Sequence, residues 1–238
     1  MKVLLFGKNS QDIKGIVENQ GFEIVTSDAE VVISFGGDGT LLSSEREYPS
    51  VPKLPIRNSQ FCNKCSNHED KKVLKDLLEN KLILKEYSKL HTKFVDQDFY
   101  ALNDFIIRNQ HPIHTIRFMV TTDHSKRSEG PLLIGDGIVL STPFGSTGYF
   151  KSVTGESFSE GFGLAFNNTT EKTRPIYLNE KDSVEFKLVR GHANLSFDNN
   201  PDIFNISEGT VVTFDLSEKF AKIYESSLRC PNCQIIRG

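Results

Sequence analysis

The first third of the chain alternates short apolar runs with a segment of helical spacing. Residues 3–6 and 22–25 predict two strands, and the apolar residues at positions 13, 16 and 17 predict one face of a helix between them. The run 31–35 is β-branched and aromatic, which indicates a strand buried on both faces in a parallel sheet. This order of elements predicts an open α/β sheet, whose ligand crevice lies at the carboxyl ends of its strands.

From Leu90 onward the pattern changes to short segments separated by turn residues. The predicted strands cover residues 105–108, 115–121, 138–142, 184–189, 195–197 and 211–216. Strands of this length and spacing favour a β-rich, sandwich-like or barrel-like architecture. We therefore expect an α/β N-terminal domain with a Rossmann-like open sheet over residues 1–85 and a β-rich C-terminal domain over residues 86–215. The segment 216–238 is expected to return to the N-terminal domain.

Charge and hydropathy argue against two classes of partner. The chain has 28 Lys and Arg residues against 31 Asp and Glu residues, a net charge of -3, so no basic face points to nucleic acid. No apolar run approaches the roughly 20 residues that span a bilayer. The apolar start at residues 1–6 breaks at Gly7, too soon for a signal peptide. We expect a soluble, cytoplasmic protein with no membrane partner.

Three glycines bracket a single carboxylate where the strand 31–35 should end. Glycine has no Cβ and tolerates positive φ, so Gly36, Gly37 and Gly39 let backbone amides approach a ligand, typically a phosphate. Thr40 is expected to cap a following helix, whose dipole favours an anion at the same place. The amides of Gly37 and Gly39 and the hydroxyl of Thr40 are therefore candidate phosphate-binding groups.

Asp38 is the unusual member of this loop. A carboxylate beside a phosphate cradle repels the ligand unless it holds a metal ion or takes a proton from a nucleophilic hydroxyl. Asp38 therefore favours phosphoryl transfer, with Mg²⁺ shared by the phosphates of the donor. The same residues also fit a tight turn with an Asp cap.

Two further polar segments lie beside predicted strands. Asn103 offers a donor and an acceptor to a base edge or ribose, and an ionised Asp104 accepts hydrogen bonds from hydroxyls, although an Asn-Asp pair is also common in turns. Asp136 stands between two glycines where the backbone can approach a ligand. Tyr149 fits either stacking on a ring or packing in the core. Between Asp136 and Tyr149 lies a hydroxyl-rich loop suited to ribose and amide groups. It contains Ser141, Thr142, Ser146 and Thr147 around Pro143 and Gly145.

Three motifs carry a resemblance to a known family. Residues 36–40 resemble the GGDGT motif of NAD kinases, which diacylglycerol and sphingosine kinases share. Residues 101–104 resemble the Asn-Glu/Asp motif of NAD kinases, and residues 135–149 resemble their Asp-Gly…Ser-Thr-Pro-Thr-Gly-Ser-Thr-Ala-Tyr signature. All three occur in the family's order and span most of the chain. The sequence is thus similar to the NAD kinase family, which has a small α/β domain and a larger β domain.

The resemblance implies a reaction and a set of site residues. The reaction transfers the γ-phosphoryl group of ATP to the 2′-hydroxyl of the adenosine ribose of NAD, with Asp38 accepting or polarising the hydroxyl proton. Homodimers or homotetramers are also implied, because family sites often borrow residues from a neighbouring subunit. The NAD-contacting residues implied are Asn58, Asn103, Asp104, Asp136, Thr147, Gly148, Tyr149 and Ser152.

The sequence departs from the family pattern at several positions. Phe144 replaces the usual Thr or Ser, Gly148 replaces the usual Ala, and only Asn58 matches in the loop 55–61 that bounds the family's pocket. Two alternatives stay open. One is a lipid kinase of the same superfamily, which shares the GGDGT motif and the architecture, and the other is a non-catalytic dinucleotide-binding regulator, which the altered loop allows.

All four cysteines fall in two Cys-x-x-Cys pairs, Cys62 with Cys65 and Cys230 with Cys233. Paired knuckles present four thiolates tetrahedrally to Zn²⁺, and such a closed site is structural because no ligand position stays open. Disulfides and free thiols are the alternatives.

Overall fold

The computed structural model describes residues 1–57, 70–123 and 130–225. The chain divides into two compact units. The first unit comprises Met1–Tyr87 together with the stretch that begins at Ala221, and the second comprises Ser88–Phe220. Within the described ranges, no helix combines the length and the apolar character needed to span a bilayer.

The first unit is built on a parallel sheet with helices. Its elements are β1 (Lys2–Phe6), a 3-10 helix (Ser10–Ile13), α1 (Lys14–Asn19), β2 (Glu23–Ile24), β3 (Val31–Phe35), α2 (Asp38–Glu47), β4 (Lys53–Ile56) and α3 (Asp70–Leu78). The strand order is β2-β1-β3-β4. Strand β3 lies between β1 and β4, and all five of its residues are buried, which confirms the prediction of a strand covered on both faces.

The helix after the glycine loop begins earlier than the sequence predicted. Its first residue is Asp38, and Gly37 is the N-cap. The prediction that Thr40 caps this helix is wrong, because the amide of Thr40 already donates to the carbonyl of Gly37 at 3.0 Å as part of the first turn. The early start places the carboxylate of Asp38 at the helix N-terminus, where the helix dipole favours negative charge.

The described residues of the second unit form antiparallel strands and one short helix. The strand Ile83–Phe94 runs into this unit from the first, and the strand Val211–Glu225 runs from it back to the first unit. The elements are β5 (Ile83–Phe94), β6 (Gln97–Ala101), β7 (Asp104–Asn109), β8 (Ile116–Thr122), β9 (Leu132–Gly135), β10 (Gly137–Ser141), α4 (Tyr149–Thr154), β11 (Phe162–Asn167), β12 (Ile176–Leu178), β13 (Val184–Arg190), β14 (Ala193–Phe197), β15 (Phe204–Ile206) and β16 (Val211–Glu225).

Two sheets enclose the core of this unit. One has the order β12-β11-β10-β7-β14-β15, and the other joins β16, β13, β8 and β9, with β5 and β6 alongside. Both sheets contribute buried phenylalanines, among them Phe105, Phe118, Phe186 and Phe214, each with no exposed surface. The predicted α/β sheet followed by a β-rich, sandwich-like region is therefore confirmed. Strand β16 runs well past the predicted end at residue 216, because it pairs with β5 as well as with β13.

Candidate active site

The glycine loop of the first unit lies at the carboxyl end of β3, as predicted. A Cβ on Gly36 would lie 2.2 Å from Oγ1 of Thr40, and a Cβ on Gly7 would lie 2.3 Å from the carbonyl oxygen of Phe35. Gly7 also has a φ of +128°, which side-chain-bearing residues rarely adopt. By contrast, a Cβ on Gly37 would meet nothing within 4 Å. Gly7 and Gly36 therefore allow close packing, whereas Gly37 borders open space that a ligand can occupy.

Asp38 presents its carboxylate to solvent from the first turn of α2. Its side chain is 71% exposed, and its Oδ1 lies 3.5 Å from Nη2 of Arg57. Arg57 directly follows β4, which pairs with β3, so the two side chains come from neighbouring strand ends of the parallel sheet. The sequence reasoning did not single out Arg57. The signal that identifies it is a cation directly after the strand next to the glycine loop.

A buried ion pair lies at the other end of α2. Nζ of Lys53 contacts Oε2 of Glu45, and it also donates to the carbonyl of Tyr48 at the end of the helix. The Lys53 side chain is fully buried and the Glu45 side chain is 4% exposed. This pair ties α2, which carries Asp38, to the start of β4.

In the second unit, the carboxylate of Asp198 binds the backbone amides of a turn formed by Leu102, Asn103 and Asp104. Oδ2 of Asp198 accepts from the amide of Leu102 at 2.9 Å, and Oδ1 accepts from the amides of Asn103 and Asp104 at 2.7 and 3.3 Å. The amide of Asp198 in turn donates to the carbonyl of Asp104 at 3.0 Å. The predicted Asn-Asp motif is therefore a turn held by a carboxylate that the sequence reasoning did not consider.

Residues of the hydroxyl-rich segment 141–146 donate hydrogen bonds to the backbone carbonyls of the same turn. Thr142 donates through Oγ1 to the carbonyl of Leu102 at 2.6 Å and through its amide to the carbonyl of Asn103 at 2.9 Å. Ser141 Oγ donates to that carbonyl of Asn103 at 3.2 Å. A Cβ on Gly145 would lie 2.3 Å from it. Ser141 and Thr142, which the sequence placed in a ligand-contacting loop, are buried and bonded within the protein, whereas Thr147 and Gly148 are exposed.

The two carboxyl groups at this turn influence each other. Burial raises the pKa of Asp104 to about 7, and the charge of Asp198 acts in the same direction. Burial also raises the pKa of Asp198, while the three amides of the turn and the ammonium group of Lys89 oppose that rise. The amides and Lys89 favour the charged form of Asp198, and that charge is one of the two causes that raise the pKa of Asp104.

A second cluster surrounds Asp136. Its Oδ1 accepts from Nδ2 of Asn109 at 3.3 Å and its Oδ2 accepts from Nδ2 of Asn168 at 3.0 Å. The neighbouring Asn167 donates through Nδ2 to the hydroxyl of Tyr149 at 3.1 Å. The end of β11 thus brings Asp136 and Tyr149, two of the predicted NAD-contacting residues, next to adjacent asparagines that the sequence reasoning overlooked.

The remaining predicted residues divide into two groups. Ser152 is exposed on α4, and its Oγ donates to the carbonyl of Tyr149 at 2.7 Å. Asn58 and the cysteines Cys62, Cys65, Cys230 and Cys233 lie outside the described residues. Within residues 1–57, 70–123 and 130–225, no group of three or more His, Cys, Asp or Glu residues could hold a metal ion.

Comparison with known proteins identifies the family. No family model matches the chain. The NAD kinase of Aquifex aeolicus is 30% identical over 213 residues, which cover 83% of this chain and 76% of that protein. The chain belongs to the NAD kinase family. NAD kinase 2 of Listeria monocytogenes is 34% identical over 158 residues, 61% of this chain, and the match spans only 57% of that relative's length.

Solved structures agree with the fold of this NAD kinase family member. An NAD kinase from Archaeoglobus fulgidus in complex with ATP has a TM-score of 0.78 at 18% identity, covering 100% of this chain and 98% of that one. Yeast NADH kinase in complex with NADH has a TM-score of 0.80 at 14% identity, covering 96% and 84% of the two chains. None of these similarities favours the lipid kinase or the non-catalytic regulator.

Proposed function

We propose that this NAD kinase family member transfers the γ-phosphoryl group of ATP to the 2′-hydroxyl of the adenosine ribose of NAD, giving NADP and ADP. The main support is the exposed carboxylate of Asp38 at the start of α2, beside the open backbone of Gly37. A carboxylate beside a phosphate-binding loop suits proton abstraction from a hydroxyl nucleophile. The relatives named NAD kinase and the ATP and NADH complexes of the structural neighbours support these substrates.

In the proposed reaction, Asp38 takes the proton of the 2′-hydroxyl as its oxygen forms a bond to the γ-phosphorus. The bond between that phosphorus and the β–γ bridging oxygen breaks, and ADP leaves. The amides of Gly37 and Gly39 and the hydroxyl of Thr40 bind phosphate oxygens, while Arg57 offsets their charge. Mg²⁺ would enter with ATP as part of the substrate and would supply positive charge to its phosphates.

The dinucleotide is assigned to polar groups of the second unit and to Asn58. Asn103 and Asp104 bind a base edge and ribose hydroxyls in this proposal, which is supported by the hydrogen-bonded turn that carries them. The exposed Thr147 and Gly148 offer a hydroxyl and a backbone that a ligand can approach. Asp136, Tyr149 and Ser152 complete the proposed set. Phe144, in place of a Thr or Ser, removes one hydroxyl contact.

Four broader features also belong to this proposal. The domain boundaries near residues 85 and 215 are supported by the separation of the chain into two compact units. We also propose a cytoplasmic homodimer or homotetramer, as the resemblance implies. The four cysteines are proposed to bind one structural Zn²⁺, a proposal supported by their two Cys-x-x-Cys spacings.

The test is NADP formation from NAD, ATP and Mg²⁺, followed with an NADP-specific dehydrogenase and with each substrate omitted in turn. A signal that requires both ATP and NAD is expected. No NADP from a protein that still binds NAD in calorimetry would favour the regulator. A protein that neither binds NAD nor makes NADP, but phosphorylates diacylglycerol in vesicles, would favour the lipid kinase.

A further inference from the structure

Asp198 has no role in the reaction proposed above, yet it accepts hydrogen bonds from three consecutive backbone amides at the turn that presents Asn103 and Asp104. The hydroxyls of Thr142 and Ser141 donate to the carbonyls of Leu102 and Asn103 in the same turn. We propose that Asp198 is a positioning residue for dinucleotide binding: its carboxylate sets the backbone from which Asn103 and Asp104 reach NAD. This inference rests on the proposed assignment of NAD to that turn.

The chemistry of the contact requires a carboxylate. Both oxygens of Asp198 are used as acceptors, Oδ2 by the amide of Leu102 and Oδ1 by the amides of Asn103 and Asp104. An asparagine has one acceptor oxygen, and its NH₂ group would face an amide N–H at the other position. Hydrogen bonds from neutral donors to a charged acceptor are also stronger than those between neutral groups.

The backbone at residue 198 fits this role. Asp198 has a φ of 49°, a left-handed conformation that aspartate adopts more readily than most residues. Pairing of β7 with β14 sets Phe105 opposite Phe197. Asp198, which follows β14, therefore lies beside Asp104, the first residue of β7. The reciprocal bond from the amide of Asp198 to the carbonyl of Asp104 closes the contact from the other direction.

The charge of Asp198 also affects the pKa of Asp104. This electrostatic effect provides a measurement that distinguishes a positioning role from general structural support. Asp104 is 6% exposed, and the charged groups that act on this pair are Asp198 itself and Lys89, which is 4% exposed. A ligand hydroxyl that donates to Asp104 favours its ionised form. Because burial and Asp198 raise the pKa of Asp104 to about 7, NAD binding at neutral pH should release a fraction of a proton.

The sign of the pH effect follows from this shift. As the pH falls through about 7 Asp104 takes up a proton and becomes a weaker acceptor for the ribose hydroxyl, so NAD binds more weakly at lower pH and more tightly as the pH rises through 7. Removing the charge of Asp198 lowers the pKa of Asp104. The pH at which NAD affinity is half-maximal should therefore move to lower values in Asp198→Asn.

The experiment compares Asp198→Asn with Asp202→Asn, which removes the same charge from an exposed position in the same loop. NAD dissociation constants are measured by calorimetry between pH 5.5 and 8.5, in two buffers of different ionisation enthalpy, alongside the steady-state kinetics. In Asp198→Asn we expect Kd and KM for NAD to rise about tenfold or more. The KM for ATP should stay unchanged, kcat should change much less than the KM for NAD, and the pH midpoint should move downward. Asp202→Asn should match the wild type in every measurement.

Three results would overturn the inference. One is an unchanged Kd for NAD in a folded Asp198→Asn. Another is an equal rise of both KM values with no movement of the pH midpoint, which would indicate general structural damage. If Asp198→Asn does not fold, Asp198→Glu takes its place: it keeps the charge but moves the carboxylate away from the amides of Leu102, Asn103 and Asp104. A raised Kd for NAD in that variant supports the inference, and an unchanged one refutes it. Binding is measured without turnover, so a protein that binds NAD but makes no NADP would refute the proposed function and leave this inference testable.

Discussion

The guanidinium Nη2 of Arg57 lies 3.5 Å from the carboxylate Oδ1 of Asp38, and the two side chains are 48% and 71% exposed. Ion pairs this exposed contribute about 0–1 kcal/mol to stability, because water and salt screen them. The ion pair of Arg57 and Asp38 therefore contributes little to the free energy of unfolding. Its position at the carboxyl ends of β3 and β4 instead places a cation beside the carboxylate proposed to act on the substrate hydroxyl.

Replacing Asp38 with Asn should remove catalysis and leave NAD binding nearly intact. Proton transfer by a positioned side chain contributes roughly a 10²–10⁴-fold rate increase, so kcat for NADP formation should fall by about that factor. Calorimetry should give an NAD dissociation constant within about threefold of the wild-type value, because the residues assigned to NAD are others. Glu47→Gln, at the exposed C-terminal end of the same helix, is the control. Loss of NAD binding as complete as the loss of activity would contradict the assigned role of Asp38.

Replacing Arg57 with Ala should weaken ATP binding without unfolding the protein. Removing one cation from the phosphate site is expected to raise the KM for ATP about tenfold, and Arg57→Lys, which keeps the charge, should raise it less. The free energy of unfolding, from urea titration, should change by less than about 1 kcal/mol. Lys14→Ala breaks a comparably exposed ion pair with Glu18 and should leave both quantities unchanged. An ATP KM in Arg57→Ala equal to that of the control would refute the role.

The elements that the sequence predicted well are those with local signals. Strand β3 and the glycine loop follow from a run of five buried residues and the glycines that end it. The start of α2 was missed by three residues, because Gly37 rather than Thr40 serves as the N-cap, without a side-chain hydrogen bond, and leaves no local signature. Residues 58–69, which include Asn58 and one cysteine pair, lie outside the described structure, so those predictions stay untested.

The contacts at the Asn103–Asp104 turn were beyond sequence reasoning for a different reason. Asp198 is 95 residues away from Asn103 in the chain. Their contact depends on the register between β7 and β14, which sets Leu195 opposite Ile107. Hydrophobic periodicity predicts that such strands exist but not which strands pair. For the same reason, the hydroxyls of Ser141 and Thr142 looked free for a ligand until the pairing of β7 with β10 showed them facing the turn.

Alanine at Gly145 and at Gly15 should have unequal effects on NAD binding. A Cβ at Gly145 would lie 2.3 to 2.6 Å from backbone atoms of Asn103, so Gly145→Ala must displace the turn. Gly15 is exposed in α1, and a Cβ there would meet nothing within 4 Å. Calorimetry should therefore show a loss of about tenfold or more in NAD affinity for Gly145→Ala and little change for Gly15→Ala. Equal affinities in the two variants would show that the turn does not govern NAD binding.

The two Cys-x-x-Cys pairs predict about one zinc ion per chain. Elemental analysis of protein purified under reducing conditions without chelators should detect it, and Cys230→Ser combined with Cys233→Ser should abolish it. NADP formation should not depend on zinc directly, because four thiolate ligands leave no open coordination position. A zinc-free protein with two disulfides, or with four thiols that alkylate freely, would replace the zinc prediction with the corresponding alternative.

Breaking the buried pair of Lys53 and Glu45 should destabilise the protein far more than breaking the exposed pair at Asp38. Lys53→Met leaves the buried carboxylate of Glu45 without its cation, a change that typically costs about 3–5 kcal/mol. The double variant, Lys53→Met with Glu45→Leu, removes both charges and should recover much of that loss, although the carbonyl of Tyr48 still loses its donor. Urea unfolding followed by circular dichroism measures both effects. A single variant as stable as the wild type, or a double variant no more stable than Lys53→Met, would show that this ion pair does not anchor α2.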